Sequence, residues 1–206
     1  MSRLATLGPQ PAQARATIVL VHGRGATAAD ILGVGAALGL DDIAYLAPQA
    51  PGNTWYPYSF LVPMERNEPS LSRSLATLGE IVGGLEAQKI PASRIGLLGF
   101  SQGACLSLEF AARHARRYAA VVAFSGGLIG PPGTPRDYKG SFEGTPVFLG
   151  CSDVDPHIPL ERVHESADAL NRMGAAVDTR IYPGMGHEIN RDEIEAVRKM
   201  LKLANG

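Results

Sequence analysis

"LLGFSQGA", residues 97–104, is a short apolar run that breaks into a serine flanked by two glycines. Glycine loses the most backbone freedom on ordering, so Gly99 and Gly103 call for a mechanical reason. A G-x-S-x-G stretch supplies one when a strand precedes it and a helix follows. The serine then sits on a turn too tight for neighbouring side chains, with its hydroxyl lifted clear of the sheet. In a chain with 24 glycines the motif also arises by chance, so its surroundings decide the reading.

Those surroundings alternate strand and helix patterns. "RIGLLGF" (94–100) reads as a strand and "QGACLSLEFAARHA" (102–115) as the helix it enters. Upstream, "ATIVLVHG" (16–23) is a continuous β-rich run, the pattern of a parallel strand covered on both faces. "AADILGVGAALG" (28–39) has helical spacing, and "DIAYLAP" (42–48) reads as a second strand. "LSRSLATLGEIVGGLEAQ" (71–88) predicts a helix with Leu71, Leu75, Leu78, Val82 and Leu85 on one face. Downstream, "YAAVVAFSG" (118–126), "TPVFLGCS" (145–152) and "AVDTRIYPG" (176–184) read as strands. Between and after the last two lie "LERVHESADALNRMG" (160–174), a helix closed by Gly174, and "RDEIEAVRKMLKLA" (191–204), a helix capped by Asn190. The pattern predicts an α/β fold of βαβ units, a mainly parallel central sheet with helices on both faces, over one domain spanning 1–206. The opening "MSRLATLGPQPAQA" reads as an unstructured start and not as a signal peptide.

Bulk properties narrow the function. A net charge of −1 leaves no footprint for nucleic acid. The basic cluster 113–117 reads as a solvated helix end. No apolar run is long enough to cross a membrane. Cys105 and Cys151 are too far apart and too few for a disulfide framework or a zinc site, which fits a reducing, cytoplasmic setting. No metal or cofactor spacing is found. "GVGAALG" has the wrong spacing for a dinucleotide fingerprint and reads as close helix packing.

Parallel sheets carry their chemistry at the carboxyl ends of the strands. The polar residues there are His22, Gly23 and Arg24; Ser101; Ser125; Asp153 and Asp155; and His187. Serine is a weak nucleophile and needs a base. Of five histidines, His187 in "YPGMGHEI" follows the last strand and is the candidate. His114 and His164 fall in helices, His22 lies beside the site, and His157 lies beside the acid. The acid is Asp155 or Asp153 from "CSDVDPHIP"; Pro156 and Pro159 stiffen the chain after Asp155 and favour it, with Asp153 as a loop-capping carboxylate. The chain order Ser101, Asp155, His187 is that of α/β-hydrolases. The Gln102 amide, at a helix start, is one candidate oxyanion donor. Arg24 in "VHGRGAT" is the other.

With these motifs in view, the chain resembles the phospholipase/carboxylesterase family of α/β-hydrolases over nearly its whole length. The resemblance rests on "VLVHGRGAT", "TWYP", "GFSQGA", "DPHIP" and "MGHEI". It implies Asp155 as the acid, because the family's acid is the aspartate of a D-P-x-[IV]-P segment. It implies the Arg24 amide as oxyanion donor, because the residue after H-G has that role. It favours Trp55 as a pocket-lining residue, and His22 is placed with it beside the substrate. Two departures stand out: Arg24 occupies a place often held by an apolar residue, and "GCSDVDP" is longer than in thioesterases.

The loop 49–69, with Trp55, Tyr56, Tyr58 and Phe60, either walls an apolar pocket or is pinned by its own aromatics. The segment 127–142 is too short for a lid domain, which implies an open site and small esters. The expected activity is a carboxylesterase acting through an acyl-enzyme. The alternatives are a thioesterase or lysophospholipase on longer chains, and a non-catalytic receptor on the same fold. A small ester is the expected partner; a homodimer is compatible with the sequence.

Overall fold

The computed structural model describes residues 4–203. Seven strands form one sheet in the order β1-β3-β2-β4-β5-β6-β7. They are β1 (Leu4–Leu7), β2 (Ala16–Val21), β3 (Ile43–Pro48), β4 (Ile95–Phe100), β5 (Val121–Phe124), β6 (Pro146–Ser152) and β7 (Ala176–Tyr182). All neighbours pair in parallel except β1, which runs antiparallel to β3 with Leu4 opposite Pro48. The helices are α1 (Ala28–Leu38), α2 (Ser70–Ala87), α3 (Gln102–Arg113), α4 (Leu160–Arg172) and α5 (Arg191–Leu203).

Strand side chains alternate between two apolar cores. Val19, Val21, Leu97, Val121, Ala123 and Val147 pack with α2, α3 and α4. Ile18, Leu20, Leu98, Val122, Phe124 and Phe148 pack with α1 and α5. β2, β3 and β5 are buried throughout and β4 at every residue but Phe100, which is why they read as unbroken apolar runs. The face assigned to α2 is buried at Leu71, Leu75, Leu78, Val82 and Leu85.

Local chemistry sets the ends of the helices. Thr27 and Asp30 form a reciprocal capping box at the start of α1. Gly35 within it lies against β2 and β3: a Cβ there would stand 3.0 Å from Leu20 and 3.3 Å from Tyr45. The "GVGAALG" stretch is therefore helix packing. Asn190 caps α5, its Oδ1 accepting from the Glu193 amide at 2.9 Å while Glu193 Oε2 accepts from the Asn190 amide at 2.8 Å. Gly174 follows α4 with φ +80°.

Two readings change. The N-terminal segment holds a strand, β1, where the sequence reads as unstructured; Met1–Arg3 lie outside the described residues. Its four residues are mostly exposed and pair on one side only, so no burial alternation marks them. β5 covers only Val121–Phe124 of the longer 118–126 run. The segment 127–142 makes no lid. Arg162 donates to the carbonyls of Leu128 and Gly130. The buried Glu109 accepts from the Ile129 amide and the Tyr138 hydroxyl, fixing this stretch onto α3 and α4.

Candidate active site

Ser101 occupies the turn between β4 and α3 with φ +55° and ψ −120°, a backbone conformation that disfavours any side chain. Its amide donates to Phe124 O at 2.9 Å and its carbonyl accepts from the Cys105 amide at 3.0 Å, so strand and helix hold the strained residue from both sides. The glycines act on backbone clearance. A Cβ on Gly99 would stand 2.3 Å from the carbonyl of Gly103, and one on Gly103 would stand 2.0 Å from Val21 O. Helix α3 therefore approaches β4 and the end of β2 at a distance that only glycine permits.

His187 lies on the turn after β7, between Gly186 (φ +85°) and α5. Its Nε2 is 2.8 Å from Ser101 Oγ and its Nδ1 is 2.7 Å from Asp155 Oδ2. With Asp155 as acceptor, Nδ1 carries the proton and Nε2 is free to accept from the serine hydroxyl. Asp155 is wholly buried at its side chain. Its Oδ1 accepts from the amides of His157 at 2.8 Å and Ile158 at 3.0 Å. Burial by itself would raise the Asp155 carboxyl; the hydrogen bonds from His187 and these two amides outweigh it and hold the group below its ordinary value. Asp153 serves the loop instead of the histidine ring. Its Oδ1 accepts from the Gly184 amide at 2.8 Å and ties down the turn that carries His187.

Among the described residues, neither the Gln102 amide nor the Arg24 amide has a hydrogen-bond partner. Gln102 opens α3, so its N–H is one of the helix's unpaired donors. A cavity of about 610 Å³ opens over Ser101, lined by Arg24, Tyr56, Tyr58, Phe60, His157 and His187 among others.

Trp55 and His22 are not on that lining. Trp55 is 2% exposed, with its indole N–H donating to His22 O at 2.8 Å. Of the two readings of the aromatic loop, Trp55 takes the pinning one, while Tyr56, Tyr58 and Phe60 form the wall. His22 is fully buried. Its Nε2 accepts from the Ala50 amide, so Nδ1 carries the proton and donates to Gly23 O at 2.7 Å. Burial lowers the His22 pKa and keeps the ring neutral. It is a post between β2 and the loop after β3.

Two side-chain roles escaped sequence reasoning. The Gln102 carboxamide accepts from the Trp55 amide at 2.9 Å and donates to Tyr56 O at 2.8 Å. The Arg24 guanidinium donates to the carbonyls of Tyr56, Pro57 and Tyr58 at 2.8–2.9 Å. Both clamp the cavity wall from beside Ser101. The only signal in the sequence was a long polar side chain at a position read for its backbone.

The model of the phospholipase/carboxylesterase family matches residues 7–205. The chain belongs to that family. A phospholipase/carboxylesterase from Dyadobacter fermentans is similar at 47% identity and a TM-score of 0.94, covering 98% of this chain and 97% of that one. Esterase PE8 is similar at 25% identity and a TM-score of 0.78, with 96% of both chains covered. Acyl-protein thioesterase 1 of Neurospora crassa is 27% identical over 95% of this chain and 89% of its own length. This phospholipase/carboxylesterase family member is thus an α/β-hydrolase. Cys105, one turn into α3, is buried, and burial raises its thiol to about 12, which leaves it unreactive. Among the described residues no group of three or more His, Cys, Asp or Glu side chains is placed to hold a metal ion.

Proposed function

We propose that this chain is a serine carboxylesterase, a single domain that cleaves small carboxylic esters through an acyl-enzyme. The observation that carries the reading is the continuous chain from Ser101 Oγ through His187 to the buried Asp155 carboxylate. Ser101 Oγ bonds to the ester carbonyl carbon while His187 Nε2 takes its proton. Asp155 orients the ring and stabilises the imidazolium. The amides of Arg24 and Gln102 receive the oxyanion. Collapse of the tetrahedral intermediate breaks the bond to the alcohol, which takes the proton from His187. Water, deprotonated in turn by His187, then hydrolyses the acyl-enzyme and restores the serine.

Ser101→Ala tests this. The variant should keep its fold and its unfolding midpoint but lose turnover and labelling by a fluorophosphonate probe. Full activity in it would refute the assignment. The probe also separates an enzyme from a non-catalytic receptor on this fold, which should not react.

Thioesterase action on longer acyl chains is the second reading, supported by the similarity to acyl-protein thioesterase 1. A p-nitrophenyl ester series decides between them. A maximum at short acyl chains supports the first, and activity rising through long chains supports the second. Two free, buried cysteines support a cytoplasmic location. Among the described residues no helix is long and apolar enough to cross a membrane.

A further inference from the structure

The Arg24 guanidinium carries a charge that no neighbouring group neutralises. Its three hydrogen bonds all go to main-chain carbonyls, and among the described residues it joins no ion pair. Three of its five N–H donors are spent on those carbonyls, so two remain. Holding a loop by its carbonyls needs donors but not a charge; a neutral amide does the same from the other side, at Gln102. Arg24 also lines the cavity over Ser101, and no Asp or Glu is among the lining residues. The site therefore presents a cation positioned by three hydrogen bonds, with no Asp or Glu among the residues that line the cavity with it. A guanidinium in that setting matches a carboxylate, which it can meet through one of its unspent N–H donors, since both hydrogens of Nη2 are taken by the Tyr56 and Tyr58 carbonyls.

We propose that Arg24 is a specificity-determining residue that binds a carboxylate on the substrate. The preferred substrates are then acidic esters such as the monoesters of short dicarboxylic acids. This rests on the serine-hydrolase reading, in which the Arg24 amide holds the oxyanion. It follows from that reading that the carboxylate lies no farther from the scissile carbonyl than one arginine side chain reaches. That geometry favours short diacids over long ones.

The test compares kcat/KM for matched acidic and neutral esters: phenyl hemiglutarate against phenyl valerate, and 4-carboxyphenyl butyrate against phenyl butyrate. The first pair puts the carboxylate on the acyl side, the second on the leaving group. Arg24→Gln should lower the acidic-to-neutral ratio in at least one pair by about 10- to 100-fold, the range for one charge-assisted hydrogen bond. A residue that only clamps the wall would slow both members of each pair equally; an unchanged ratio in both pairs would overturn the inference. Should Arg24→Gln fail to fold, the wild-type enzyme gives the answer. Its kcat/KM for the favoured acidic ester should fall severalfold between low and high salt while the neutral ester is unaffected. Equal salt response of both esters would overturn the inference. If the wild type hydrolyses neither ester and escapes the fluorophosphonate probe, the hydrolase reading falls and the inference with it. If it hydrolyses both with ratios insensitive to Arg24, only the inference falls.

Discussion

Replacing Glu193 by glutamine removes a buried acid that sits just beyond the loop carrying His187. The Glu193 side chain is in the first turn of α5 and is fully buried. Oε2 accepts from the Asn190 amide at 2.8 Å, but Oε1 has no partner and faces β6 so closely that a Cβ on Gly150 would stand 2.1 Å from it. Burial, aided by the charges of Asp192 and Glu188 and opposed by the Asn190 hydrogen bond, raises this carboxyl from 4.5 to about 7. A raised acid binds its proton more tightly when folded, so its ionisation destabilises the fold. The stability is complete below pH 4.5 and is lost as pH rises towards 7. At about 1.4 kcal/mol per pH unit the full cost is about 3 kcal/mol, of which about 2 to 3 kcal/mol falls between pH 5 and pH 8. Glutamine keeps the acceptor for Asn190 and cannot ionise. His22 and His114, lowered mainly by burial, act in the opposite direction below pH 6.5, and the lowered Asp155 acts only in more acid solution. These contributions cancel in the difference between variant and wild type. Urea unfolding followed by fluorescence of Trp55, the one tryptophan and 2% exposed, measures both proteins. From pH 5 to pH 8 Glu193→Gln should gain about 2 to 3 kcal/mol on the wild type. Two curves that stay parallel within about 0.5 kcal/mol would refute the reasoning, because no proton would then be linked to Glu193.

Gln102→Ala keeps its own backbone amide, strands the buried Trp55 backbone amide and leaves the Tyr56 carbonyl to Arg24 alone. It should cost about 1 to 3 kcal/mol in urea unfolding and raise KM as the wall loosens. Asp155→Asn converts an acceptor of the His187 proton into a group that can also donate, so kcat should fall by about 10³- to 10⁴-fold with the fold retained. Asp153→Asn should cost far less, since Asp153 meets only a loop amide; a loss equal to that of Asp155→Asn would move the acid role. Steady-state kinetics on one ester measures both.

The sheet was legible because its central strands are covered on both faces, and such strands can be written only as runs like "IVLV" and "GLLGF". β1 was not legible because an exposed four-residue edge strand carries no such constraint. Ser101, Asp155 and His187 stood out because strand ends concentrate chemistry and each interrupts a pattern. The structure brings the three together. Trp55 was misplaced for a physical reason: an aromatic near a strand end satisfies its burial equally well as wall or as anchor. Only the partner of its indole N–H, the carbonyl of His22, distinguishes them. A sequence names the donor but not the acceptor.

The side chains of Arg24 and Gln102 raise a different point. Their backbone amides are the candidate oxyanion donors, and their side chains hold the wall formed by Tyr56, Pro57 and Tyr58. In each case one residue offers a candidate oxyanion N–H from its backbone and holds with its side chain the loop that shapes the cavity. The wall cannot shift without pulling on the two residues next to or across from Ser101. Any substitution in 55–60 that moves those carbonyls should thus alter kcat together with KM. In a cavity whose wall hung only on its own aromatics, wall substitutions would alter KM alone. On the proposed mechanism specificity and rate are coupled through two side chains, and Gln102→Ala measured for kcat as well as KM reads that coupling directly.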